Sequence, residues 1–214
     1  MGVQLDRLAA VMRRLRTDCP WDAQQTHRSL VSFLVEETAE VVDAIEVGDD
    51  VDLLEELGDL LLQVYFHAEI ARTEGRFDIE DVAEGVADKL VRRHPHVFGD
   101  AEVTDVDALW VTWEAAKKAE KNRTSALDGI PGSLDSLAKL HKSVLRVRKH
   151  QVPVNLPDDP ITADEVGAEL LALVARAQAS GIDPDQAARD VQRELEANIR
   201  RQESSDEPKQ VPLR

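Results

Sequence analysis

A chain of 214 residues is long enough for one sizeable domain or two small ones, and a hydrophobic fraction of 43% can supply a core. Aromatics make up only 4% while Ala, Leu, Val, Glu, Asp and Arg recur throughout, a mix that favours helices over strands. The net charge of −16, from 42 acidic against 26 basic residues, argues against a nucleic-acid polymer as partner; it suits a protein that collects cations, and it also keeps a surface soluble.

Helical periodicity runs along almost the whole chain. The spacing predicts a first helix over 3–16, then a loop, "TDCPWDAQQTH". A second helix is expected from about 28 to 47, stopping at Gly48, and a third over 51–73 after the turn "GDD". "EGRFD" is the next loop. Asp78 caps a fourth helix with Asp81 in its first turn, and the helix ends at His94, before Pro95. Thr104 is a good cap for a fifth helix through about 122.

"SALDGIPGS", residues 124–132, reads as a linker. Helices are expected over 133–149, 162–179 and 184–202, and residues 203–214 read as a disordered tail. No run of about 18 apolar residues suggests a membrane span. "MGVQLDRLAAVMRRLR" lacks the apolar core of a signal peptide, and the lone Cys19 has no partner for an internal disulfide, so a reducing cytoplasm is the expected location.

The chain also echoes itself. "EELGDLLLQVYFHAEIARTEGRFDIEDVAEGVADKLVRR" resembles "DEVGAELLALVARAQASGIDPDQAARDVQRELEANIRR". Gly58 matches Gly167, Leu61 matches Leu170 and, after a gap, Asp78 matches Asp183 and Leu90 matches Leu195. Asp59, however, falls on Ala168, and nothing like "EETAE" precedes the second copy.

That acidic stretch is the unusual feature of the second predicted helix. On a helical wheel Glu37 and Glu40 fall inside the apolar stripe of Leu30, Phe33, Val41 and Ala44, while Asp43 and Glu46 fall outside it and Glu36 flanks it. In the third helix Glu56 and Asp59 border the apolar arc and continue into a polar line through Gln63 and His67. Glu40 lies as far before Gly48 as Glu56 lies after it, so both sit about 12 Å from the end of an antiparallel hairpin. Four carboxylates converging at one height would need a cation to stay ionised, and an all-oxygen set suits magnesium or manganese. Taken singly, each acid also reads as a charged helix face paired with a nearby Lys or Arg. A di-iron carboxylate bundle would want Glu-x-x-His, but Val64 stands three residues before His67.

"EETAE" followed by "ELGD" resembles the Glu-Glu-x-x-Glu … Glu-x-x-Asp motif of the all-α nucleoside triphosphate pyrophosphohydrolases. "CPWDAQQTHRSL", "DKLVRRHPHVFGD" and "WEAAKKAEK" narrow the resemblance to the MazG family, closely over about 4–123 and weakly beyond. The likeness implies hydrolysis of a nucleoside triphosphate to the monophosphate and pyrophosphate, for housecleaning of the nucleotide pool or control of an alarmone. It implies Mg2+ (Mn2+ as a possible substitute) at Glu37, Glu40, Glu56 and Asp59. It also implies an all-α fold of helical hairpins, with a four-helix-bundle-like core completed in a homodimer. On this basis 1–123 is the expected catalytic domain and 133–202 a degenerate second repeat, kept for packing, dimerisation or substrate closure.

The chemistry assigns further candidates. Glu36 could orient or deprotonate the attacking water. Lys89, Arg92, Arg93 and Lys117 could neutralise the leaving phosphates. Trp21 could stack on a base or anchor its loop in the core. His27, His94 and His96 lack zinc-ligand spacing and are structural or phosphate-facing. Two alternatives stay open: a base-specific dCTP- or dUTP-type pyrophosphatase, and a non-catalytic helical dimer that senses nucleotides or bridges partners.

Overall fold

The computed structural model describes residues 2–101 and 124–205. Among the described residues every regular element is a helix. The chain divides into two compact units, Met1–Trp113 and Glu114–Arg214.

In the first unit α1 is Val3–Asp18, α2 Pro20–Gln24, α3 Val31–Glu46, α4 Asp50–Thr73, α5 Ile79–Arg93 and α6 Pro95–Phe98. Two of these were not expected as helices. The loop after α1 contains the short α2, which starts with Pro20 at its first turn, where a missing N–H costs nothing. Pro95 likewise opens α6 rather than merely ending α5. The second predicted helix begins later than its periodicity suggests. Residues 27–30 form a turn instead, tied by reciprocal bonds between Thr26 and Ser29: each backbone N–H donates to the other's hydroxyl.

The α3–α4 hairpin carries the site. Its turn requires Gly48, because a Cβ there would lie 2.8 Å from the Ala44 Cα and 2.9 Å from its carbonyl oxygen. Asp49 then caps α4 in a full capping box with Asp52. The two halves of α4 differ. Its C-terminal half buries Gln63, Tyr65, Phe66 and the run Ala68–Ala71, whereas Leu54, Leu57 and Leu61 of its N-terminal half stay exposed. Met12 of α1, Leu30, and Tyr65, Phe66 and Ile70 of α4 form the core of this unit, with Leu8, Ala9, Leu62 and Ile79 packed around them. The expected cap at Asp78 is present, as a capping box with Asp81.

In the second unit α7 is Ser136–Lys149, α8 Ala163–Ala179 and α9 Pro184–Ser205. Leu127, Val147 and Ile199 form its core. The stretch 124–132 packs into this unit: Ala126 and Leu127 are buried, and the Arg146 guanidinium donates to the Ala126 and Asp128 carbonyls. Across the α7–α9 contact the Gln192 amide donates to Ser143 Oγ (3.1 Å) and Glu196 (2.8 Å), and Lys139 pairs with Glu196 at 3.1 Å. The predicted fifth helix with its Thr104 cap and Lys117, and the tail from residue 206 onward, lie outside the described residues.

Candidate metal centre

Antiparallel packing of α3 on α4 turns the two acidic stretches toward each other. One carboxylate oxygen from each of Glu37, Glu56 and Asp59 falls within 4.8 Å of the other two, and all three residues are half-buried. Two come from successive turns of α4 and one from α3, so the hairpin itself creates the group. Glu40 is exposed and lies outside this trio, yet its charge reaches both Glu37 and Glu56. Glu36 is exposed beside them.

The electrostatics are those of acids that raise one another. Burial pushes the Glu37 carboxyl above its ordinary range, and Asp59, Glu40 and Glu36 push it further; a hydrogen bond from the Gln63 amide (3.4 Å) opposes them. Glu56 is raised for the same reasons, burial first, then Glu40, Asp59, Glu55 and Asp52. An oxygen-only donor set, mutually repelling and close enough for one ion to span, fits a hard divalent cation.

The polar line along α4 is a real feature, and its lower part was not assigned from sequence. Gln63 is buried and bonds Glu37 across the hairpin, while its Oε1 finds no partner. One turn on, His67 meets His27 with their Nδ1 atoms 2.7 Å apart. The i, i+4 spacing of Asp59, Gln63 and His67 was legible; the residues they would meet on other elements were not. His27 thus makes protein contacts through both ring nitrogens, to His67 and to Arg76.

Trp21 sits on α2 with 51% of its surface exposed. Its ring meets Phe33 edge-on at 5.8 Å and Phe66 at 6.3 Å. Phe33 lies one turn before Glu37, so the half-open indole is next to the acidic helix and partly anchored, consistent with either expected role. Arg16 was not singled out from sequence, although it holds this segment: its Nη1 donates to the Asp22 carbonyl and, at 3.1 Å, to that of Gln25, and the guanidinium lies 5.8 Å over Phe66. Arg92 and Arg93 lie in the last turn of α5, where positive charge complements the helix dipole, Lys89 lies one turn earlier, and His94 turns its Nδ1 to the Leu90 carbonyl.

Comparison with known proteins agrees with this geometry. The family model for the MazG nucleotide pyrophosphohydrolase domain matches residues 25–98, which contain all the acids above. A protein of Streptomyces cacaoi, described as an uncharacterized 26.1 kDa protein in the blaB 3' region, is 46% identical over 193 residues, covering 88% of this chain and 78% of that protein. The nucleoside triphosphate pyrophosphohydrolase of Escherichia coli is 47% identical over 145 residues, 65% of this chain and 55% of that one. Its namesake from Mycobacterium tuberculosis is 42% identical over 171 residues, 79% and 52% respectively. The chain therefore spans about half the length of these two named enzymes.

Proposed function

The chain belongs to the MazG family, and from that premise we propose that it is a nucleoside triphosphate pyrophosphohydrolase, converting a (d)NTP to the (d)NMP and pyrophosphate with magnesium. The observation that carries this reading is the convergence of Glu37, Glu56 and Asp59 within 4.8 Å inside the matched domain. These three, with Glu40 of α3, would hold the cation. When bound, Mg2+ offsets the charge of the triphosphate against the acidic hairpin and polarises phosphorus toward attack. Manganese has the same preference for oxygen ligands and substitutes for it.

The protein's own groups do the rest. Glu36, exposed beside the ligands, orients the attacking water and takes its proton. Lys89, Arg92 and Arg93 at the end of α5, with Lys117, neutralise the negative charge that grows on the departing pyrophosphate. Trp21 offers its open face to the base.

Residues 1–123 form the catalytic domain of this reading and 133–202 a degenerate second repeat. That repeat lacks both halves of the machinery. Asp59 corresponds to Ala168, and in the helix that echoes α5 the positions of Lys89, Arg92 and Arg93 hold Glu194, Ala197 and Asn198. A homodimer completes the four-helix core around the α3–α4 hairpin. Its role in the cell is removal of unwanted nucleotides or lowering of an alarmone.

A panel of ribo- and deoxyribonucleoside triphosphates, with products resolved, tests the reading. Monophosphate plus pyrophosphate, released only with Mg2+ or Mn2+, is the expected result. Diphosphate plus phosphate, or no metal-dependent turnover, overturns it. A single base accepted from the panel would narrow the enzyme to a dCTP- or dUTP-type pyrophosphatase.

A further inference from the structure

The contact between His27 and His67 has a geometry that fixes where its protons lie. The ring planes are within 7° of parallel and the centroids 5.0 Å apart, yet the Nδ1 atoms are only 2.7 Å apart. That separation is the nitrogen–nitrogen distance plus the two ring radii, so the imidazoles meet edge to edge in nearly one plane rather than face to face. A head-on Nδ1···Nδ1 contact holds one proton. The third member decides which ring carries it. Arg76 places Nη2 2.5 Å from His27 Nε2, and a guanidinium can only donate. His27 Nε2 must therefore accept, its proton sits on Nδ1, and Nδ1–H donates to His67 Nδ1. His67 then keeps its own proton on Nε2. Arg76 is itself oriented by Glu74, to which its Nε donates at 2.7 Å.

From this geometry we propose that His27 and His67 form a neutral, one-proton latch that positions the Trp21-bearing segment over α4 for nucleotide binding. The segment 19–30 leaves α1 and returns to α3. Arg16 fixes its first half through the Asp22 and Gln25 carbonyls, and the His27–His67 bond fixes its second half to α4. Trp21 lies just before the first of these ties and is seated edge-on against Phe33 and against Phe66, the neighbour of His67 on α4, with half its surface open. Losing the latch removes the segment's polar tie to α4 beside Phe66 without touching Glu37, Glu56 or Asp59, because α3 and α4 are joined by the hairpin turn and the Gln63–Glu37 bond. His27 and His67 are positioning residues: they act through Trp21 and contact neither cation nor phosphate. A second proton on either ring would set N–H against N–H or against Arg76, which agrees with the His67 imidazole being held below its ordinary range by burial and by His27.

The inference rests on the pyrophosphohydrolase reading for its consequence, but not for its geometry, and the test separates the two. In the wild-type protein, long-range 1H–15N correlation spectra of the imidazoles should show His27 as the Nδ1–H tautomer and His67 as Nε2–H. Finding Nε2–H on both overturns the latch. With dATP and dTTP as probes, His67→Leu should raise KM about tenfold while kcat and Mn2+ affinity stay within about twofold. His67→Asn places an acceptor oxygen near the Nδ1 position and should restore KM most of the way. An unchanged KM in His67→Leu, or Asn behaving like Leu, overturns the positioning role. A wild-type protein that hydrolyses no triphosphate of the panel ends the pyrophosphohydrolase reading, and the latch then stands or falls on the tautomers.

Discussion

Glu37 and Glu56 are the residues most exposed to the conflict this fold sets up: half-buried carboxylates with further carboxylates close by. Both have folded-state pKa values raised above the unfolded ones, burial first and neighbouring acids next. A raised acid favours the folded state only while it is protonated, so its contribution is present below the unfolded value and lost as pH rises through the folded value. Magnesium should reverse that loss. The gain in Tm on adding saturating magnesium should therefore be large near about pH 7 and shrink toward about pH 5. Comparing with and without metal at each pH cancels the contribution of His67, whose lowered pKa has the opposite sign: its stability is present above the unfolded value and lost as pH falls below it. Substitution sharpens the point. Glu40→Gln and Asp59→Asn each keep side-chain size and remove one like charge. Each should abolish most metal-dependent pyrophosphate release, leave the metal-free Tm no lower than wild type, and reduce the stabilisation by magnesium. If these acids are merely salt-bridged surface groups, the pattern inverts: Tm drops modestly and turnover survives.

At the level of elements, the repeated unit shows how one helix–turn–helix frame serves a site in one copy and not in the other. α4 and α8 end alike. Gly75 and Gly181 adopt φ of 71° and 69°, and in each turn the next residue's N–H reaches back to the helix, Arg76 to Ala71 and Ile182 to Ala177. Asp78 and Asp183 then cap the following helices in the same way. The copies part at the acids. By the same register Glu56 corresponds to Glu165, which is spent on a capping box: it accepts from the Thr162 N–H at 2.8 Å and from its hydroxyl at 2.7 Å. That backbone bond, then the hydroxyl, lowers the Glu165 pKa where Glu56 is raised. Glu165→Gln should accordingly leave turnover intact, and Thr162→Ala should cost about 1 kcal/mol of stability through lost capping, read as a lower Tm. A fall in activity as large as that of Glu40→Gln would mean the second copy takes part in catalysis. Caps, glycine stops and the acid stripes were legible in sequence because they depend on residues within a turn or two of each other. The helix at Pro20–Gln24 was not, because it is held by Arg16 from the preceding helix. Nor were the His27–His67 and Gln63–Glu37 contacts, which join residues 40 and 26 positions apart.

For the molecule as a whole, the open question is what covers the α3–α4 hairpin. Val35, Val42 and Ile45 of α3 and Leu54, Leu57 and Leu61 of α4 are all exposed, with Ile45 at 66% and Leu54 at 75%. Single exposed aliphatics are ordinary, but six on one hairpin form a surface that water should not keep. Full burial of an exposed side chain of this kind contributes about 1.5–3 kcal/mol, so a pairing that covers the whole row on both chains has a sizeable apolar gain to set against the cost of association. The partner expected from four-helix packing is a second copy: two hairpins, each with one face already internal, would bury the remaining faces against each other. Such a pairing would also brace the acidic group from outside, adding to the hairpin turn at Gly48 and the Gln63–Glu37 bond within one chain. Light scattering at about micromolar concentration should then report twice the 23.8 kDa chain mass. Leu57→Glu, placing a charge in the exposed row, should shift that mass toward the monomer and reduce turnover together, because the α4 turn that carries Glu56 would lose its support. A wild-type protein that stays monomeric and fully active would refute the dimer; a Leu57→Glu monomer with undiminished turnover would show that the site is complete within one chain.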